Sequence, residues 1–187
     1  FSGMHVLAGA LCGSPTQIAF VGAGDIGDFA AAFVSWLRPD FSSRQTLDAA
    51  LIEYLKSRVS PGCRLKLQEP LAKKTTIRIG GSARFFSEPA NLSDLHVLLK
   101  ASKIFGIPTF CLGQGSNILV PDHGFDGLII RFSATGWRRI EALGEGRIWA
   151  AAGGRLKQIC GFAAKHQLSG FEFLEGIPGA IGGALRM

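Results

Sequence analysis

Leu112-Gly-Gln-Gly-Ser-Asn-Ile-Leu119 and Gly170-Phe-Glu-Phe-Leu-Glu-Gly-Ile-Pro-Gly-Ala-Ile-Gly-Gly-Ala-Leu-Arg-Met187 decide the reading of this chain. The first segment follows an apolar stretch, Thr109 to Leu112, expected to be a buried strand. Its Gly113-Gln114-Gly115-Ser116-Asn117 turn leads into a further apolar strand expected over Ile118 to Val120, so no helix dipole stands behind it. Consecutive backbone N–H groups in a glycine-permitted turn form an anion-binding nest, and the Ser116 hydroxyl and Asn117 amide add donors beside it. Taken alone the segment reads by default as a polar hairpin turn, by about two to one. The second segment removes that ambiguity, because Ile177-Pro178-Gly179-Ala180-Ile181-Gly182-Gly183 combines small residues with a proline that limits flexibility. Two such loops can clasp one dinucleotide, its pyrophosphate held without a lysine.

Working outward, Leu92, Leu95, Leu98 and Leu99 repeat at helical spacing after a cap at Asn91 or Ser93. Gly106 closes that helix and Pro108 prevents its continuation. Short strands are expected over Thr76 to Ile79, Arg84 to Ser87, Gly127 to Phe132 and Arg147 to Ala152. A Gly153-Gly154 turn then enters a helix from Arg155 to Gln167, with Leu156, Ile159, Cys160 and Ala163 inward. Upstream, a helix from about Thr46 to Arg58 puts Leu47, Ala50, Leu51, Tyr54 and Leu55 on one face. Breakers at Pro39 and at Ser60-Pro61-Gly62 isolate it. The expected organisation is therefore a partial α/β segment over 1–39, a linker helix within 40–65, and a cofactor-binding domain over 66–187.

A third glycine loop, Gly22-Ala23-Gly24-Asp25-Ile26-Gly27, has the G-x-G-x-x-G spelling between an apparent strand and a helix. Spelling alone makes it a dinucleotide site. Against that, Asp25 would set a carboxylate against the phosphates, and residues 1–39 lack the second half of a cofactor-binding unit. A tight strand-to-helix turn is the plainer reading.

Composition sets the outer limits. Hydrophobic residues make up 47% of the 187 and charged ones 18%, which places the chain among folded globular proteins. A net charge of +6 favours anionic ligands, but the basic residues form no run of the kind that marks a nucleic-acid arm, so nucleic acid is not an expected partner. Cys12, Cys63, Cys111 and Cys160 lie about fifty residues apart and read as buried thiols. His5, His96, His123 and His166 are equally scattered, so no metal site is expected. Phe1 to Cys12 is apolar yet lacks the basic n-region of a signal peptide, and no stretch of about twenty apolar residues offers a membrane span. A cytoplasmic location and no membrane partner are the expectations.

Four segments in order, Thr75-Thr-Ile-Arg-Ile-Gly-Gly81, Leu112 to Leu119, Gly124-Phe-Asp-Gly127 and Gly170 to Met187, make residues 66–187 similar to the UDP-N-acetylenolpyruvoylglucosamine reductases. The resemblance implies an α+β, FAD-binding fold of the p-cresol methylhydroxylase type, with two α+β subdomains around the cofactor. It assigns FAD contacts to Gly113, Gln114, Gly115, Ser116 and Asn117 and to Ile177, Pro178, Gly179, Gly182 and Gly183. It also implies NADPH as hydride donor, a UDP-sugar enolpyruvyl ether as substrate, and a place in peptidoglycan synthesis. The serine, arginine and glutamate that such enzymes use in catalysis correspond to positions after Met187, so Ser116, Glu175 and Arg186 are not their counterparts. The expectation is a cofactor part without turnover of its own. Ile18-Ala-Phe-Val-Gly-Ala-Gly-Asp-Ile26 is in turn similar to the closing strand and turn of UDP-N-acetylmuramate–alanine ligase, implying a ligase domain fused upstream. The competing readings are a non-catalytic FAD-binding module and an NAD-binding module built on Gly22 to Gly27.

Overall fold

The computed structural model of the chain describes residues 44–186. The strand, glycine turn and helix expected within residues 1–39, and with them Gly22 to Gly27, lie outside the described residues. The chain divides into two compact units, Phe1–Leu47 and Asp48–Met187, and the relationships below all lie within the second.

Its architecture is α+β. A four-stranded sheet runs in the order β1 (Arg64–Pro70), β2 (Ser82–Glu88), β4 (Phe125–Arg131), β3 (Thr109–Leu112). The β1–β2 pair is antiparallel, whereas β2–β4 and β4–β3 are parallel. Helix α2 (Leu92–Ile104) makes the crossover from β2 to β3, and α1 (Arg44–Lys56) precedes β1. Parallel strands are covered on both faces, so β4 reads as a continuous apolar run, Leu128-Ile129-Ile130. Period-two alternation then splits the run. Leu128 and Ile130 join Phe85, Leu51, Leu55, Leu98 and Ala101 on the helix side. Ile129 joins Phe86, Ala83, Leu112, Leu71 and Val120 on the other, where irregular chain supplies the cover. Leu98 is fully buried, and its truncation to alanine would cost about 2–5 kcal/mol.

The ends of α2 are fixed as the sequence indicates. Asn91 accepts a hydrogen bond from the Asp94 amide at 2.9 Å, and Asp94 reaches back to accept from the Ala90 amide at 2.9 Å. Asp94 also accepts from the Ser60 amide (2.7 Å) and the Ser60 hydroxyl (2.9 Å), binding the loop after α1 to the start of α2. At the other end Gly106 takes a left-handed φ of 62°, and the Ile107 amide returns to Ser102 O at 2.8 Å.

The remaining elements are the hairpin β5 (Ile140–Gly144) and β6 (Arg147–Ala150), helix α3 (Leu156–Lys165) and the single turn α4 (Ile181–Ala184). Glu145 and Gly146 both have positive φ between the two strands, as a tight hairpin turn requires. Leu156, Ile159 and Leu174 form a separate small core, against which Ile140, Ala150, Cys160 and Ile181 pack.

Several sequence expectations are corrected. Thr76 to Ile79 is not a strand: Arg78 has φ 62°, and Ile77 and Ile79 are about half exposed. Ile118 to Val120 is likewise irregular, with Val120 buried and Leu119 facing solvent. Strand β3 lies at the sheet edge, so only its Leu112 is buried. Leu92 and Leu99 are exposed, leaving Leu98 and Ala101 as the buried apolar face of α2. Cys63 and Cys160 are partly buried and Cys111 is exposed, so the reading of buried thiols fails most clearly at Cys111. Strand β1 and the β5 half of the hairpin were not anticipated.

Candidate functional site

Three irregular segments come together at the turn leaving the C-terminal end of β3, the end of a parallel strand at which open α/β sheets bind their ligands. The first, residues 113–117, leaves β3 directly. Within it Gly115 has φ 70°, and a Cβ there would fall 2.4 Å from the Lys74 carbonyl oxygen. Only glycine fits that position. Its own carbonyl accepts from the Thr76 amide at 2.9 Å, so the second segment, 75–81, is laid against the turn. That second segment is anchored in turn by the Gly81 amide, which donates to Pro121 O at 2.9 Å.

The third segment is the proline-glycine loop. Gly179 O accepts from the Leu156 amide at 3.2 Å, Ile181 N donates to Gly154 O at 2.8 Å, and Gly182 N donates to Ala152 O at 3.0 Å. Ala180 forms an isolated antiparallel bridge with Arg155. A methyl on Gly182 would sit 3.0 Å from the Ala152 Cβ, so close backbone approach explains that glycine. The loop is thus held against the entry to α3. Ser116 Oγ donates to Pro178 O at 3.1 Å and joins it to the 113–117 turn across 62 residues of sequence.

The structure therefore brings Gly113 to Asn117 together with the Ile177 to Gly183 loop. It also shows which residues serve the protein and which face outward. Gly115 and Gly182 are required by packing, whereas Gly113 and Gly183 are not: neither has positive φ, and a Cβ on either would meet nothing within 4 Å. Among the described residues, the amides of Gln114, Gly115 and Ser116 donate no backbone–backbone hydrogen bond. Unused donors beside glycines without a packing reason form a cradle that suits an anionic, flat ligand approaching the backbone. The donor chemistry fits FAD, whose diphosphate takes N–H donors. The nearest lysine is already engaged, since Lys74 Nζ lies 2.9 Å from Glu69 and Lys66 lies 3.1 Å from the same carboxylate. Burial pushes the Glu69 carboxyl up, but hydrogen bonds from Lys74 and Lys66 outweigh it and hold the group below its usual range.

One buried polar group in the site was not singled out from sequence. Thr75 is 7% exposed beneath the Gly115 turn, and its hydroxyl has no hydrogen-bond partner among the described residues. Its place in the Thr75 to Gly81 motif was a visible signal, but nothing in the motif's spelling foretells burial.

Comparison with known proteins agrees with this geometry. The family model described as "FAD binding domain" matches residues 83–187. A UDP-N-acetylenolpyruvoylglucosamine reductase of Pelobacter propionicus is 43% identical over 123 residues, covering 66% of this chain and 41% of the relative. The Synechococcus sp. enzyme of the same name is 41% identical over 140 residues, covering 75% and 42%. The crystal structure of UDP-N-acetylenolpyruvylglucosamine reductase (MurB) from Thermus caldophilus superposes with a TM-score of 0.56 at 31% identity, covering 66% of this chain and 41% of that one. The chain spans about two fifths of the length of these relatives. From fold, loop geometry and sequence together, the chain belongs to the FAD-binding domain family, in the form carried by the UDP-N-acetylenolpyruvoylglucosamine reductases.

Proposed function

We propose that this chain is the cofactor-holding part of a flavoenzyme that reduces the enolpyruvyl ether of a UDP-sugar with NADPH, a step of peptidoglycan synthesis. The observation that carries the proposal is the Ser116 to Pro178 hydrogen bond, which closes two glycine loops into one cradle. The names of the relatives support the substrate class. In this reading residues 66–187 form the cofactor domain and 40–65 its lead-in helix.

Gly113, Gln114, Gly115, Ser116 and Asn117 would hold the diphosphate, and Ile177, Pro178, Gly179, Gly182 and Gly183 would close over the remainder of the cofactor. FAD, when bound, supplies hydride chemistry that protein side chains lack. The chain's contribution is binding and orientation: Gly115 keeps the turn in its donor-out form, and the proline-glycine loop fixes the opposite wall. A proton donor to the substrate is not among these residues, because Ser116 is committed to Pro178 O. Glu172 is engaged with the Gly170 amide at 2.7 Å, and Glu175 is exposed at the end of the short turn that precedes Ile177.

Denaturing the purified chain and identifying what it releases tests the reading. Released FAD is the expected result; released NAD, or retention of NAD that is lost in Gly24→Asp, would favour the Gly22 to Gly27 module instead. The 187-residue chain is expected to oxidise no NADPH with the enolpyruvyl substrate.

A further inference from the structure

We propose that Arg131 is a further ligand of the cofactor, supplying the fixed positive charge that the backbone cradle lacks; this rests on the FAD reading above. Arg131 ends β4, and its Cα is paired in register with Leu112, the residue immediately before Gly113. Neighbouring strands lie about 4.8 Å apart, so Arg131 starts one strand spacing from the entry to the glycine turn.

The face is fixed by alternation. Ile130 belongs to the helix-side core and Ile129 to the other, so Arg131 returns to the side of Ile129 and Leu112, the side on which the 75–81 segment lies. It is half-buried there. Other charged residues of β2 and of the Leu71–Lys74 turn have partners of their own. Glu88, one step beyond the Ser87–Ile130 pairing, lies 3.6 Å from Arg64 on β1. Arg84 is held by Asp48 at 2.6 Å and Asp126 at 3.3 Å, and Lys74 by Glu69. Arg131 has no carboxylate within ion-pair distance among the described residues. A half-buried guanidinium without a counter-ion, at the ligand-binding end of a parallel strand, suits a diphosphate, whose oxygens accept its paired N–H groups.

The test is equilibrium titration of the full chain, its Arg131→Met variant and its Arg131→Lys variant with FAD and separately with riboflavin, which has no phosphate. Arg131→Met is expected to weaken FAD by about tenfold or more and to leave riboflavin unchanged, while Arg131→Lys keeps part of the FAD affinity. Added salt should weaken FAD less in Arg131→Met than in the parent chain. If Arg131→Met does not fold, Arg131→Lys decides alone: a loss confined to FAD supports the assignment. Equal binding of FAD by parent and variants, or an equal loss for FAD and riboflavin, overturns it while leaving the cofactor reading in place. A parent chain that binds no flavin overturns both.

Discussion

Ser116 Oγ donates a hydrogen bond to the Pro178 carbonyl oxygen at 3.1 Å, and that bond joins two glycine loops that the sequence separates by 62 residues. Being exposed, it contributes little to folding, of the order of 1 kcal/mol. Ser116→Ala should therefore lower the thermal midpoint by only about 2–5 °C while weakening FAD by about fivefold, because the two walls of the cradle lose their register. Parallel calorimetry and flavin titration check both halves.

Gly113 and Gly115 stand two residues apart and should respond oppositely. Gly115→Ala introduces a methyl 2.4 Å from Lys74 O at a φ of 70°, and should cost about 2–3 kcal/mol of stability. Gly113→Ala meets nothing within 4 Å, so denaturant midpoints should stay near the parent value while FAD binding falls. Urea unfolding beside cofactor titration separates the two.

Asp94 gives the fold an acid-sensitive point. Its burial raises the carboxyl pKa, but hydrogen bonds from the amides of Ser60 and Ala90 and from the Ser60 hydroxyl lower it further, so the folded value lies below the ordinary one. The stabilisation is then fully present above about pH 4 and is lost as pH falls through the folded value. Asp94→Ala should cost about 2–4 kcal/mol at neutral pH. Urea unfolding between neutral and acidic pH should show a shallower acid slope in the variant.

Thr75 makes the opposite prediction. A buried hydroxyl without a partner costs about 1–3 kcal/mol of desolvation, so Thr75→Val, similar in shape, should match or exceed the parent in thermal stability. A marked loss would mean that the hydroxyl has a partner after the chain relaxes.

The pattern of successes follows from what is local. Helix α2 was legible from end to end because Asn91, the leucine spacing, Gly106 and Pro108 act within a few residues of where they stand. The paired glycine loops were legible as backbone features because glycine and proline spelling reports backbone demands. Thr76 to Ile79 misled because its alternation of polar and apolar residues imitates a strand, while the Thr76 amide is in fact engaged by Gly115 O. Strand β1 was missed for the reverse reason: Arg64, Lys66 and Glu69, with Pro70 at its end, look like loop, yet they suit a sheet edge. Nothing in the spelling foretold that Ser60 would meet Asp94, or Ser116 Pro178. The better dinucleotide spelling, Gly22 to Gly27, lies outside the described residues, so the FAD reading rests on the loops at Gly113 and Ile177.

Titration of the purified chain with FAD, followed by quenching of flavin fluorescence, tests the central claim most directly. Saturable binding at one site per chain is expected, weakened by Ser116→Ala and by Gly113→Ala without loss of fold. Absence of saturable quenching, or FAD binding indifferent to both substitutions, would contradict it.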